Sequence, residues 1–163
     1  MQVMEVISGK RATREIIALL ATEVLVPYLR RGGSLVLTLS GPLGAGKTQC
    51  TKWLARSLGI RRSLRSPTFT LWQSYPFKIL KFKNIYTLHH LDLYRLDQPR
   101  EIFKLSLRTT LREPGNLIVI EWGERIHRWL PKPFLNLTLG RASKTLRQAQ
   151  GRTERKLTLT HHG

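Results

Sequence analysis

The stretch Ser34–Thr48, SLVLTLSGPLGAGKT, decides the fold. Ser34–Leu39 is an apolar run with the length and composition of a strand buried on both faces. It leads into GPLGAGKT, Gly41–Thr48, which fits G-x-x-x-x-G-K-S/T with Gly41, Gly46, Lys47 and Thr48 at the required positions. The spacing has a chemical reason. Glycines let the backbone turn so tightly that successive N–H groups point into one anion-sized hollow. The helix that follows adds its positive N-terminal end. Lys47 would reach the β- and γ-phosphate oxygens, and the Thr48 hydroxyl would ligate Mg²⁺. Thr48–Leu58 reads as that helix, with Cys50, Trp53, Leu54 and Leu58 on one face and Gly59 beyond its end. Strand, glycine loop and helix in this order predict a nucleoside triphosphate as ligand.

Outward from this unit the chain alternates strands and helices, the pattern of one α/β domain spanning residues 1–163. Gln2–Ile7 alternates as a short strand, and Ile16, Ile17, Leu20, Val24 and Tyr28 recur at helical spacing between Ala12 and Arg31. Pro27 sits where it would disturb the last turn of that helix, and Gly32-Gly33 ends it. Ile85–Leu91 and Leu117–Ile120 are further core strands, and Pro99–Leu107 is a short helix with proline in its first turn. Phe134–Leu139 and Lys156–Thr160 alternate and could pair, with the polar segment 141–155 as a basic loop between them.

Composition removes several alternatives. At 163 residues, with 41% hydrophobic and 23% charged residues, the chain is neither disordered nor fibrous. Its longest apolar runs fall far short of the roughly 20 residues of a membrane span. Its first residues lack the apolar core and cleavage site of a signal peptide, and the single Cys50 has no partner for an internal disulfide. A cytoplasmic domain is expected. The charge is unusual: 28 Lys and Arg against 10 Asp and Glu give +18, a field that attracts polyanions. The basic residues gather at Arg61, Arg62 and Arg65, at Lys78, Lys81 and Lys83, and between Arg141 and Lys156.

A phosphate loop that does chemistry needs an acid near Mg²⁺ and a group that orients the attacking water. Asp92 follows IYTLHHL and Glu121 follows LIVI, so both stand where a core strand delivers a side chain to its carboxyl end, the edge where α/β sheets bind ligands. The plainer role for each is a strand-end acid that caps a helix or faces water. The other glutamates lie in helix or loop surroundings and read as solvated. His89-His90 and His161-His162 lack metal-site spacing, Cys50 reads as a small core hydrophobe, and Trp122 as a core residue ahead of a stacking one.

Taken together, GPLGAGKT at Gly41–Thr48, SPTFTL at Ser66–Leu71, HHLDLYRL at His89–Leu96 and IEW at Ile120–Trp122 resemble the TsaE family, the bacterial ATPases of tRNA threonylcarbamoyladenosine biosynthesis. The resemblance covers nearly the whole chain and is weakest after Gly140. It implies a P-loop NTPase-like, three-layer domain with a mostly parallel sheet flanked by helices. It implies that Leu43, Gly44, Ala45, Gly46, Lys47 and Thr48 hold the phosphates of ATP, and that Thr48 and Glu121 serve Mg²⁺. Asp92 would be needed for hydrolysis, and Thr68 would belong to a switch-like loop near the γ-phosphate. Thr13 would approach the base, with Gln150–Arg152 on the same side. The implied partners are the TsaD and TsaB proteins, whose complex ATP hydrolysis resets between turnovers. The +18 charge adds the expectation of a tRNA contact, direct or indirect, through the basic surface, and no membrane is expected. The sequence departs from the family in three respects: Arg100-Glu101 stands where paired acids are usual, Pro76–Asn84 is longer and more basic, and the net charge is atypical.

Two other functions compete. A small P-loop kinase would use Arg141–Arg155 as a phosphate-clamping lid, but such kinases place the loop very near the N-terminus. A basic nucleic-acid-associated NTPase follows from charge alone. Against it, no RNA-binding module is recognisable and aromatic residues do not interleave with the basic clusters.

Overall fold

A computed structural model of the chain describes residues 3–79, 84–141 and 155–163. The strands are β1 (Val3–Ser8), β2 (Leu35–Ser40), β3 (Trp72–Lys78), β4 (Ile85–Asp92), β5 (Asn116–Glu121), β6 (Phe134–Arg141) and β7 (Arg155–His162). They form one seven-stranded sheet in the order β1-β7-β6-β2-β5-β4-β3. The four central strands β6, β2, β5 and β4 are parallel, as expected. The flanking pairs β1–β7, β6–β7 and β3–β4 are antiparallel, so the sheet as a whole is mixed. The two late strands do pair, with Leu137 opposite Leu159.

The expected helix over Ala12–Arg31 is present in three pieces. Helix α1 (Lys10–Leu19) passes into a π-helical turn, Leu20–Leu25, and then into α2 (Val26–Arg30). Pro27 is the reason. It has no N–H for the carbonyl one turn back and its ring crowds that carbonyl, so the helix widens just before it. Helix α3 (Lys47–Ser57) follows the glycine loop. The expected helix over Pro99–Leu107 is instead a 3-10 turn, Pro99–Lys104, and a short α4 (Leu107–Thr110), with Ser106 at φ 62° breaking the run. Two more 3-10 turns, Gly123–Arg125 and His127–Trp129, lead into β6. Strand β3 was not anticipated. It is an edge strand, where Pro76 is tolerated, and only Tyr75 and Phe77 of its seven residues are buried.

Alternation along the central strands makes two cores. Leu35, Leu37, Leu39, Leu117 and Val119 face α1 and α3, whereas Val36, Ile118 and Ile120 face the helical turns that precede and follow β5. Each fully buried side chain of this kind contributes about 1.5–3 kcal/mol. Burial on both faces fixes the register, since a one-residue slip would exchange the two sets. The sheet therefore holds the carboxyl ends of β2, β4 and β5 side by side, with Asp92 paired to Glu121 and Leu39 paired to Glu121. Most of the expected basic loop, residues 142–154 with Gln150–Arg152, lies outside the described residues. No helix among the described residues is long and apolar enough to cross a membrane.

Candidate functional site

The loop between β2 and α3 turns on glycines in conformations that side chains rarely adopt: φ is 134° at Gly41, 75° at Gly44 and 98° at Gly46. At Gly41 space also demands glycine, because a Cβ would lie 2.2 Å from the carbonyl oxygen of Leu139 on β6. Leu43 stands at the crest, 71% exposed, and Ala45 N–H donates to Pro42 O at 3.1 Å. Lys47 opens α3 and is buried, its Nζ donating to Gly41 O at 2.6 Å and Pro42 O at 3.0 Å. The ammonium lies 3.6 Å from the centroid of the Trp122 ring. Burial holds the Lys47 pKa below the usual lysine range, and Glu121, Glu124 and Asp92 offset part of that effect.

Thr48 and both expected acids meet at this edge. Thr48 Oγ1 donates to Glu121 Oε2 at 2.9 Å. The other carboxylate oxygen of Glu121 is 2.7 Å from His90 Nε2, so that nitrogen carries the hydrogen. His90 is fully buried, and its Nδ1 has no hydrogen-bond partner among the described residues. One histidine of the pair read as structural or solvated thus orients the Glu121 carboxylate. Asp92 is buried and accepts from Thr68 Oγ1 at 2.6 Å and from Tyr94 N–H at 2.9 Å. Ser66 Oγ lies 2.7 Å from Thr68 Oγ1, so the SPTFT segment is tied to the end of β4 by its hydroxyls. Arg125 fixes the chain beyond Asp92 by donating to the carbonyls of Leu93, Tyr94 and Leu96.

Besides the role of His90, three further site features go beyond what the sequence signals. Trp122 packs partly against the second core, but its backbone at φ 60° also turns the indole over Lys47, with Tyr94 tilted against it at 5.1 Å. Only the IEW block hinted at this. Arg155, at the start of β7, brings Nη1 to 3.3 Å from where a Gly46 Cβ would sit, and that nitrogen is buried without a hydrogen-bond partner among the described residues. Arg125 had no signal at all. Thr13 is less telling: it is buried in α1 with its hydroxyl donating to Gly9 O at 2.9 Å. The pairing of Ser8 with Arg155 puts the entry to α1 at the same sheet edge as the loop.

Cys50 is 1% exposed on α3, and burial is the main cause that pushes its thiol up to about 12. The nucleophile is the thiolate. Iodoacetamide at about pH 8 is therefore expected to leave Cys50 unlabelled in the native chain and to label it in denaturant, read by mass spectrometry. Labelling of the native chain at the rate of a free thiol would contradict the packing of α3.

Among the described residues no cluster of three or more His, Cys, Asp or Glu could hold a metal ion by itself. The donor set at Thr48 and Glu121 nevertheless suits Mg²⁺, which takes one or two hard oxygens from protein and the rest from phosphate and water.

A parallel-centred sheet with a glycine loop, a lysine and a threonine at the start of the next helix, and two acids on adjoining strand ends defines a P-loop NTPase-like fold. The comparison of sequences narrows this class. The profile of "Threonylcarbamoyl adenosine biosynthesis protein TsaE" matches residues 8–150, and the chain belongs to that family. It is similar to tRNA threonylcarbamoyladenosine biosynthesis protein TsaE of Rickettsia conorii, 37% identical over 83% of this chain and 70% of the relative. The TsaE of Bacillus subtilis is 38% identical over 78% of this chain and 70% of that protein. The crystal structure of Bacillus subtilis YdiB superposes with a TM-score of 0.65 at 28% identity, covering 99% of this chain and 87% of that one. The family role is in tRNA threonylcarbamoyladenosine biosynthesis.

Proposed function

We propose that the chain is a Mg²⁺-dependent ATPase that serves the TsaD–TsaB complex rather than acting on the adenosine itself. The observation that carries this reading is the bond from Thr48 Oγ1 to Glu121 Oε2 beside the buried Lys47, in a loop shaped by Gly41, Gly44 and Gly46. ATP would supply an anhydride that water can cleave, and Mg²⁺ would neutralise its phosphates. The backbone N–H groups of residues 44–48 would bind phosphate oxygens, and Lys47 would exchange its two carbonyl partners for them. Arg155, whose buried Nη1 near Gly46 has no hydrogen-bond partner among the described residues, would add charge on the β7 side. Thr48 and Glu121 would hold the metal. Asp92 and Thr68 would orient the attacking water, so that hydrolysis and the SPTFT segment respond together.

The test is ATP hydrolysis by the purified chain, alone and with the TsaD–TsaB complex, with and without Mg²⁺. The expected result is slow, Mg²⁺-dependent turnover that the complex changes. Phosphoryl transfer to a small metabolite with no need for partners would put the kinase reading first.

A further inference from the structure

On the face of the sheet opposite α3, the turns around β5 leave a recess of about 330 Å³. It lies among the Pro99–Lys104 turn, α4 and the His127–Trp129 turn, away from the strand ends that carry the P-loop. Its rim is made of Arg100, Arg108, Arg112 and Arg128, all exposed. Two half-buried aromatic rings, Phe103 and Trp129, stand between them. The Arg128 guanidinium is 4.1 Å from the Trp129 centroid and that of Arg100 is 5.9 Å from the same ring, while Arg108 lies 5.9 Å from the Phe103 centroid.

Among the described residues no acid forms an ion pair with any of the four arginines. Glu101, the acid next to Arg100, pairs with Lys104 at 3.0 Å, and Glu113 accepts from Asn116 at 3.2 Å. Four like charges gathered around one recess repel each other, a cost that a polyanion would remove. The rings select among polyanions. A carboxylate chain has no use for an indole with a guanidinium 4.1 Å over its ring, whereas an unstacked base has a π-face that fits a ring and a guanidinium alike. A duplex keeps its bases stacked and would offer only phosphates.

We propose that this recess binds single-stranded RNA, with phosphates on the arginines and a base against the Arg128–Trp129 pair. The inference goes beyond the ATPase reading and does not depend on it. The sequence hid the site because its residues come from two stretches on either side of β5, Arg100–Arg112 and Arg128–Trp129, which only the fold brings together.

The experiment is fluorescence anisotropy of the full chain with a labelled single-stranded RNA of about 12 nucleotides, a duplex of the same length, and poly-glutamate. At about 100 mM salt the double variant Arg112→Gln/Arg128→Gln is expected to bind the single strand at least ~10-fold more weakly, with a salt dependence shallower by roughly 0.7 for each phosphate no longer neutralised. Trp129→Leu, which keeps apolar bulk, is expected to weaken binding about 5-fold or more with the salt dependence unchanged, and Trp129→Phe to retain most of it. Lys47→Ala, at the other site, is expected to leave RNA binding unaltered, so loss of the ATP reading would not be mistaken for loss of this one. Thermal melts establish that each variant is folded; if Trp129→Leu is not, the arginine pair and Trp129→Phe carry the test. Wild-type affinity and salt dependence in the arginine variant would overturn the proposal in favour of diffuse charge. Equal affinity for the duplex would overturn it in favour of a phosphate-only surface, and equal, arginine-dependent binding of poly-glutamate in favour of an acidic protein partner.

Discussion

Replacing Lys47 by alanine is expected to lower Mg-ATP affinity by about 100-fold or more while the domain stays folded. Lys47 is 5% exposed, and among the described residues its ammonium donates only to the loop carbonyls of Gly41 and Pro42. Those acceptors belong to the loop that a phosphate would occupy, so Nζ is placed to transfer its hydrogen bonds to phosphate oxygens. Two charge-assisted bonds at about 1.5–3 kcal/mol each account for the expected loss. The fold should tolerate the change for a separate reason. Burial already disfavours the charge and lowers the pKa, and Lys47 belongs to neither core, its ammonium lying over the Trp122 ring. Titration calorimetry with Mg-ATP, beside a thermal melt, reads both effects. Wild-type affinity in the variant would mean that the glycine loop does not hold its ligand through this lysine.

Much of the site could be read in advance because its parts are short-range. Gly41 to Thr48 are contiguous, and a strand that ends in an acid places that acid at the ligand edge whatever the rest of the chain does. That is why Lys47, Thr48, Asp92 and Glu121 are found together. What stayed hidden depends on long-range pairing. His90 looks like any strand histidine until the pairing of β4 with β5 brings it 2.7 Å from Glu121. Arg155 belongs to a polar stretch whose importance rests on β7 returning antiparallel to the loop edge. Strand β3 was missed because an edge strand has only half a core to satisfy and carries Pro76. The helix expected over Pro99–Leu107 failed locally, at Ser106, where a left-handed backbone conformation intervenes.

Glu121→Gln and Asp92→Asn are expected to separate binding from turnover. Glu121 accepts from the Thr48 hydroxyl, the group that would ligate Mg²⁺, and is aimed by His90. An amide is a poorer ligand for a hard dication. Glu121→Gln should therefore lose about 10-fold in ATP affinity when Mg²⁺ is present and almost nothing when it is absent. Asp92 makes no hydrogen bond to Thr48; its oxygens accept from Thr68 and Tyr94 instead. Asparagine keeps the acceptor for the Tyr94 N–H and can donate to the Thr68 hydroxyl, so the strand end should keep its shape. What it loses is the negative charge that would orient and deprotonate water. Turnover should fall by about 10²-fold while ATP affinity stays within roughly 3-fold, the signature of an interaction made only in the transition state. The measurements are ATP affinity with and without Mg²⁺, and single-turnover hydrolysis with the TsaD–TsaB complex present. Exchanged phenotypes would reverse the two roles. If neither variant differed from wild type, both carboxylates would only secure strand ends, Glu121 to His90 and Asp92 to the Thr68 segment, and the metal would have to be held by Thr48 and phosphate alone.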